Sequence, residues 1–364
     1  MSKSVISADS HVTEHPGAYT DNIEIAYRDR APHLVDDGNG GQGFLIPGLE
    51  YVLPMGLIAA AGSRPEDIGL SGSFDDWHRS GWDPKARLAD QDTDGIAAEV
   101  LYPTVGMMVC NMPDLDLKKA CMDAYNRWIA AYVSECPERL LGIGQTALRT
   151  PEEGVDDLRT VKEAGLRGVM IPGHPGQADY DDRRYDPFWE ACVDLGMPVS
   201  FHVLTSKDEF SRNRGPVLNF LITIIRSNQD IISTLIFGGV FDRFPELKVI
   251  CVEADAGWAP HYMYRMDHFY NRHRYALDAL VLKKMPSDYF KKNVYVTFQD
   301  DSVAFKMINL LDDRRVMWAN DFPHSDSTWP NSQAILAEHT AGLTSVQKDR
   351  ILHDNVAGLY GLIV

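Results

Sequence analysis

The chain has 364 residues, 45% of them hydrophobic and 24% charged, with a formal net charge of −17. Such a charge repels nucleic acid and anionic membrane alike, and the length allows a large core without disulfides. Five cysteines, an odd number with no CxxC spacing, read as reduced thiols of a cytoplasmic protein rather than a disulfide framework or zinc knuckle. The N-terminus reaches Asp9 before a signal-peptide core could form, and no uninterrupted apolar run approaches the ~20 residues of a membrane span.

Short β-branched runs alternate along the chain with helical patterns. The predicted strands cover residues 5–8, 96–102, 140–145, 168–171, 198–203, 248–253, 294–298 and 316–319. Between them, residues 117–135 place Leu117, Ala120, Cys121, Ala124, Trp128, Ala131 and Tyr132 on one helical stripe. Residues 151–164 and 187–195 read as crossover helices, and Thr344 opens a capped helix that runs to about residue 355. Eight such units, with no Gly-rich phosphate loop after the first strand, favour a single (β/α)8 TIM-barrel domain over residues 1–364 rather than an open doubly wound sheet. Residues 31–75 break the rhythm. The turn-rich run from Asp36 to Gly41 between apolar stretches predicts a β-hairpin inserted after the first strand, either a cap over the active face or a dimer contact.

Three strand ends offer metal ligands. Asp9 and His11 stand two apart in an extended segment, so both side chains point one way. His202 ends the fifth strand and Asp321 follows the eighth. All three ends open on the face where barrel enzymes keep their chemistry. A lone histidine at a strand end is ordinarily structural, and a lone aspartate there ordinarily caps a turn. Imidazole and carboxylate together suit a divalent ion, zinc first, with manganese or iron as alternatives.

The motifs Ile6-Ser-Ala-Asp9-Ser-His11-Val-Thr-Glu14, Tyr125-Asn-Arg-Trp128, Tyr185-Asp-Pro-Phe-Trp189, Met197-Pro-Val-Ser-Phe-His202, Gly239-Val-Phe-Asp-Arg-Phe-Pro245, Glu253-Ala-Asp-Ala-Gly-Trp258 and Asn320-Asp-Phe-Pro-His324 span nearly the whole chain. In this order they resemble the amidohydrolase superfamily, in the branch of aminocarboxymuconate-semialdehyde decarboxylase. The resemblance implies a barrel with one divalent metal held by Asp9, His11, His202 and Asp321. It also implies a small-molecule substrate and a homodimer. Two departures stand out. The first motif is Asp-x-His where the characterised decarboxylases carry His-x-His or Glu-x-His. Glu253 stands where they carry a catalytic histidine after strand six.

That second change makes hydrolysis the leading expectation, with metal-activated water attacking a carbonyl of a small organic acid or ring-derived compound. In this reading Asp321 moves the proton and His324 helps to stabilise the oxyanion. Decarboxylation or hydration is the alternative. Glu253 reads either as a catalytic acid–base at the barrel mouth or as a structural partner of Arg265 or Arg167. Glu14 reads as a support behind the ligands, and His15 as structural. His174, Trp258 and Trp329 fall in loops on the same face and are candidates to touch substrate, while Trp77, Trp82 and Trp128 are expected in the core.

Overall fold

The computed structural model describes residues 3–49, 51–207 and 214–362. Its strands are β1 (Val5–His11), β2 (His33–Asp36), β3 (Gln42–Leu45), β4 (Val52–Pro54), β5 (Ile96–Tyr102), β6 (Leu140–Gln145), β7 (Gly168–Met170), β8 (Val199–His202), β9 (Val249–Val252), β10 (Val294–Phe298) and β11 (Val316–Trp318). Eight of them form one parallel sheet in the order β1-β5-β6-β7-β8-β9-β10-β11. The sheet curls into a nearly closed (β/α)8 barrel. Where β11 comes round to β1, backbone bonds join the two: His11 N–H donates to the Phe322 carbonyl at 2.7 Å, and Asp321 N–H to that of Asp9 at 3.1 Å.

The barrel strands follow the sequence reading to within one residue at each end, with one informative exception. β1 runs through His11 instead of stopping at Ala8, and its pairing with β5 shifts register between Ser7 and Ser10. An irregularity of this kind re-aims side chains, and here it falls on Asp9. The strands are buried on both faces, as parallel strands between helices must be.

Helix starts follow local chemistry. The long helix after β5 spans Leu115–Val133, two residues earlier than its apolar stripe suggests, because the Asp114 carboxylate accepts from Leu117 N–H at 3.0 Å. Thr344 does cap a helix (Ser345–Asp349), which continues through a π-turn (Arg350–Asp354) into Asn355–Tyr360, beyond the expected end. Gly196, at φ 64°, ends the Asp186–Leu195 helix in the left-handed conformation that glycine adopts without strain.

Within 31–75 the predicted hairpin is β2–β3, its turn held by Asp36 and Asp37 carboxylates accepting from the amides of Gly38, Asn39 and Gly41. A third antiparallel strand, β4, joins it; Glu50 lies outside the described residues. The chain after β4 then crosses the barrel mouth. Ala61 N–H donates to the Pro323 carbonyl and Ser325 N–H to that of Leu57, which ties the insertion to the loop carrying Asp321.

Residues Val217–Phe237 form a helical stretch long and apolar enough, by length and composition only, to cross a membrane. Reading for uninterrupted runs missed it because Asn219, Arg226, Asn228, Gln229 and Asp230 break the apolar sequence. Ile231, Ile232, Leu235 and Ile236 pack into the core, while Val217, Leu218 and Ile222 are exposed. Trp77 is buried, and Trp82 and Trp128 pack against the core from partly buried positions.

Candidate metal centre

The strand ends bring Asp9, His11, His202, Glu253 and Asp321 to one point. Asp9, His11, His202 and Asp321 are completely inaccessible, whereas the Glu253 side chain is 18% exposed. His11 Nε2 lies 3.5 Å from Asp9 Oδ1, 3.4 Å from Glu253 Oε2 and 3.4 Å from Asp321 Oδ1. His202 Nε2 lies 3.4 Å from the same Glu253 oxygen and 3.7 Å from Asp9 Oδ1.

Every one of these atoms is buried, and none has a hydrogen-bond partner. Unpaired buried polar atoms are costly and rare. Two overlapping groups, Asp9, His11, His202 and Glu253, and His11, Glu253, Asp321 and His324, form a cradle for a cation, and the mixed imidazole and carboxylate donors suit a divalent one. The far sides of the imidazoles fit this as well. His11 Nδ1 meets the Pro103 carbonyl and His202 Nδ1 that of Val203, both at 3.0 Å. Donating from Nδ1 leaves each Nε2 lone pair aimed inward, which is the tautomer a metal ligand needs.

Three carboxylates and two imidazoles at such range perturb one another. Burial, and then the negative charge of Asp321, hold the Glu253 carboxyl well above the usual carboxylate range. Asp321 is raised for the same first reason, with Asp9 adding repulsion. His11 is pulled well down by burial and by the neighbouring His324 and His202. Burial pulls His202 down too, but Asp9 and Glu253 outweigh it and leave that imidazole raised. A bound cation would relieve the crowding of negative charge.

Local backbone strain sits at the same place. Leu204, Glu253 and Asp321 all have φ between 53° and 66°, just beyond the ends of β8, β9 and β11. Non-glycine residues adopt this region only when their surroundings force them. Here the Thr297 hydroxyl on β10 accepts from Glu253 N–H at 2.9 Å, and Asp321 N–H is held by the Asp9 carbonyl.

Two supports were not legible in the sequence. Arg87, fully buried, pairs with Glu99 at 2.5 Å and donates to the carbonyls of His11 (2.6 Å) and Phe322 (3.2 Å), so one guanidinium fixes the segments that carry His11 and Asp321. Asn320 Oδ1 accepts from the hydroxyls of Ser7 and Ser10, locking β1 to the loop after β11. Apart from Glu99, 12 positions from Arg87, their partners are 76 to 313 positions away in sequence, so no local pattern signals them. Glu14 acts as a support, accepting from the amides of Thr104, Val105 and Gly106 and from the Tyr19 hydroxyl.

His324 stacks on His11 at 3.9 Å between ring centroids. Its Nδ1 lies 3.1 Å from Asp321 Oδ1 and its Nε2 3.0 Å from the Thr104 hydroxyl. Burial, with repulsion from His202, pushes it down to about 3, so the ring beside Asp321 is neutral. Trp258 donates its indole N–H to the Ala254 carbonyl, and Trp329 to that of Asp90; Trp329 packs on His78 and Phe322. His174 lies apart from the cluster, on a separate cleft of the same face. Neither Arg265, which lies over the Phe269 ring, nor Arg167 pairs with Glu253; its ion-pair partners are His11 and His202.

A barrel whose strand ends gather such a cluster defines a metal-dependent enzyme. The chain belongs to the amidohydrolase family, whose model matches residues 10–362. It is 29% identical, over 77% of each chain, to the 2-amino-3-carboxymuconate-6-semialdehyde decarboxylase of Dictyostelium discoideum. Among solved structures, an amidohydrolase of Mycobacterium avium subsp. paratuberculosis K-10 superposes with TM-score 0.81 at 19% identity, covering 99% of this chain and 100% of that one. A dihydroxybenzoic acid decarboxylase of Polaromonas sp. JS666, with bound manganese, has TM-score 0.65 at 18% identity, covering 99% and 97%.

Proposed function

We propose that this chain is a divalent-metal-dependent decarboxylase of a small carboxylated ring or unsaturated acid, in place of the hydrolase first expected. The Dictyostelium relative supports a carboxy-lyase. The observation that carries the reading is the position of Glu253. It is the one partly exposed member of an otherwise sealed cluster, with Oε2 facing both imidazoles. A carboxyl in that place can serve where the relatives' histidine would.

Asp9, His11, His202 and Asp321 would hold the metal. When bound, the ion supplies positive charge that binds substrate oxygens and draws electron density from the carbon skeleton. The chain's own residues do the rest. Burial, the leading cause of the raised Glu253 carboxyl, favours its protonated form, the state a donor needs. As the bond to the substrate carboxylate breaks, carbon dioxide leaves and its electron pair stays on the carbon. The Glu253 proton then adds to that carbon, and solvent returns a proton to Glu253 through its exposed edge. His324, neutral and bonded to the Thr104 hydroxyl, stays beside Asp321.

Metal-loaded protein incubated with carboxylated aromatic and muconate-type acids should release carbon dioxide in step with substrate loss. Turnover of amides or esters without carbon dioxide would restore the hydrolase reading. Glu253→Gln should keep its metal and lose about 10²–10⁴-fold in turnover, the usual range for a proton-transfer group. Unchanged turnover would remove Glu253 from the chemistry. Reconstitution of chelated protein with manganese and with zinc decides between the ion seen in the Polaromonas structure and the one the donor types first suggested.

A further inference from the structure

A second cleft opens on the same end of the barrel, away from the ligand cluster. It has a volume of about 310 Å³ and is walled by three loops, those following β5, β7 and β8. Cys110 and Asn111 come from the first and Lys118 from the helix that follows it, His174 from the second, and Thr205 and Lys207 from the third. No carboxylate of the described residues lines it, in a chain of net charge −17.

Lys118 is the unusual member. It sits on the first turn of the Leu115–Val133 helix, is only 6% exposed, and its ammonium has no hydrogen-bond or ion-pair partner among the described residues. Its neighbour Lys119 shows what a lysine of this helix does when its partners are internal: it reaches Asp123 at 2.5 Å and Asp157 at 3.0 Å. Buried lysines are almost never left unpaired. Burial lowers the Lys118 ammonium pKa, the Cys110 thiol opposes that shift, and Lys207 repels in the same direction as burial. An anion in the cleft would remove both penalties at once.

We propose that this cleft binds a carboxylate-bearing small organic anion, with Lys118 as its buried counter-ion and Lys207 and His174 at its edge. The volume suits a few-carbon acid rather than a macromolecular tail. The cleft also communicates with the metal centre, because the Thr205 hydroxyl donates to the backbone carbonyl of His202 at 2.7 Å. The anion is either a second carboxylate of the substrate or a separate small acid; the chemistry recognised is the same.

Succinate serves as the probe. Metal-loaded protein freed of carboxylate buffer is titrated by calorimetry and thermal shift, with chloride at matched ionic strength as the blank. Wild type should bind succinate saturably. Lys118→Met should weaken binding at least about tenfold, the scale of one charge-assisted hydrogen bond. Lys118→Arg should retain it within a few-fold, and Lys207→Ala should weaken it about threefold. His202→Ala should still bind, which separates the cleft from the metal centre. Loss of binding in His202→Ala with full retention in Lys118→Met would overturn the proposal, and so would the absence of saturable binding above chloride. If Lys118→Met does not fold, Lys207→Ala and Lys118→Arg decide: unchanged affinity in Lys207→Ala would overturn it. In turnover assays, succinate raising KM in wild type but not in Lys118→Met assigns the cleft to a substrate carboxylate. Binding without any effect on KM assigns it to a separate acid.

Discussion

The two halves of the barrel mouth are built on opposite rules. On the side of β1 and β11, polar groups are bonded to one another in depth. Arg87 spans Glu99, His11 and Phe322, Asn320 joins Ser7 and Ser10, and Asp94 accepts from the Ser332 amide and hydroxyl. The Asp9, His11 and Asp321 atoms aimed into the cluster are left without partners. On the side of β5 to β8, a cleft is lined by the largely buried Lys118, whose ammonium has no partner among the described residues. The first half therefore spends its polar groups on fixing geometry, and the second leaves charge available. Strain and orphaned atoms persist in the cluster because the network beneath it fixes the backbone that carries them.

The largest effects should come from the cluster. His202→Ala and Asp321→Ala should each purify with less than about a tenth of an equivalent of metal and without measurable turnover. Metal content like wild type in both would show that the ligands lie elsewhere. Next comes the support. Arg87→Met leaves Glu99 buried without its partner, which should cost about 3–5 kcal/mol in denaturant unfolding. It should also weaken metal about 10–100-fold, because the carbonyls that place His11 and Phe322 lose their donor. Lys118→Met, by contrast, breaks no ion pair and removes an unpaired charge from a largely buried position, so it should not destabilise the protein. Equal costs for the two substitutions would erase the distinction between the two halves.

How much of this was legible in the sequence follows from range. The barrel strands are apolar β-branched runs closed by Pro, Gly or the first polar residue, and that local signal placed them closely. Asp9, His11, His202 and Asp321 were legible because a polar residue at the end of an apolar strand is itself a local anomaly. The extension of β1 to His11 was not, since a register irregularity is a property of the pairing with β5. Arg87 looked like an ordinary helix arginine until its partners, distant in sequence, came alongside. Lys118 likewise occupies a helix position where lysine is ordinarily solvated; in the fold it is largely buried and lines a cleft shared with the loops after β7 and β8. Glu253 was singled out for replacing a histidine, but its 3.4 Å approach to both imidazoles required the closed barrel.

The pH responses of the two halves should have opposite signs. In the metal-free protein Glu253, Asp321 and His202 hold protons to higher pH than in the unfolded chain, so their contribution to stability falls as pH rises from each ordinary range through its raised folded value. His11 and His324 are lowered and act the other way, but only below about pH 6.5, where the unfolded imidazoles take up protons. Above that pH the raised groups act alone. Metal must displace their protons, whereas His11 and His324 have none to give. Metal affinity should therefore rise about tenfold per pH unit for each proton released, and the thermal-shift gap between loaded and chelated protein should widen. Calorimetry in two buffers of different ionisation enthalpy counts those protons directly. Succinate affinity should instead fall as pH rises through the lowered Lys118 value, because the cleft needs the ammonium. Parallel pH trends for metal and succinate would mean that one titrating centre governs both sites, and the division of the barrel mouth would fail.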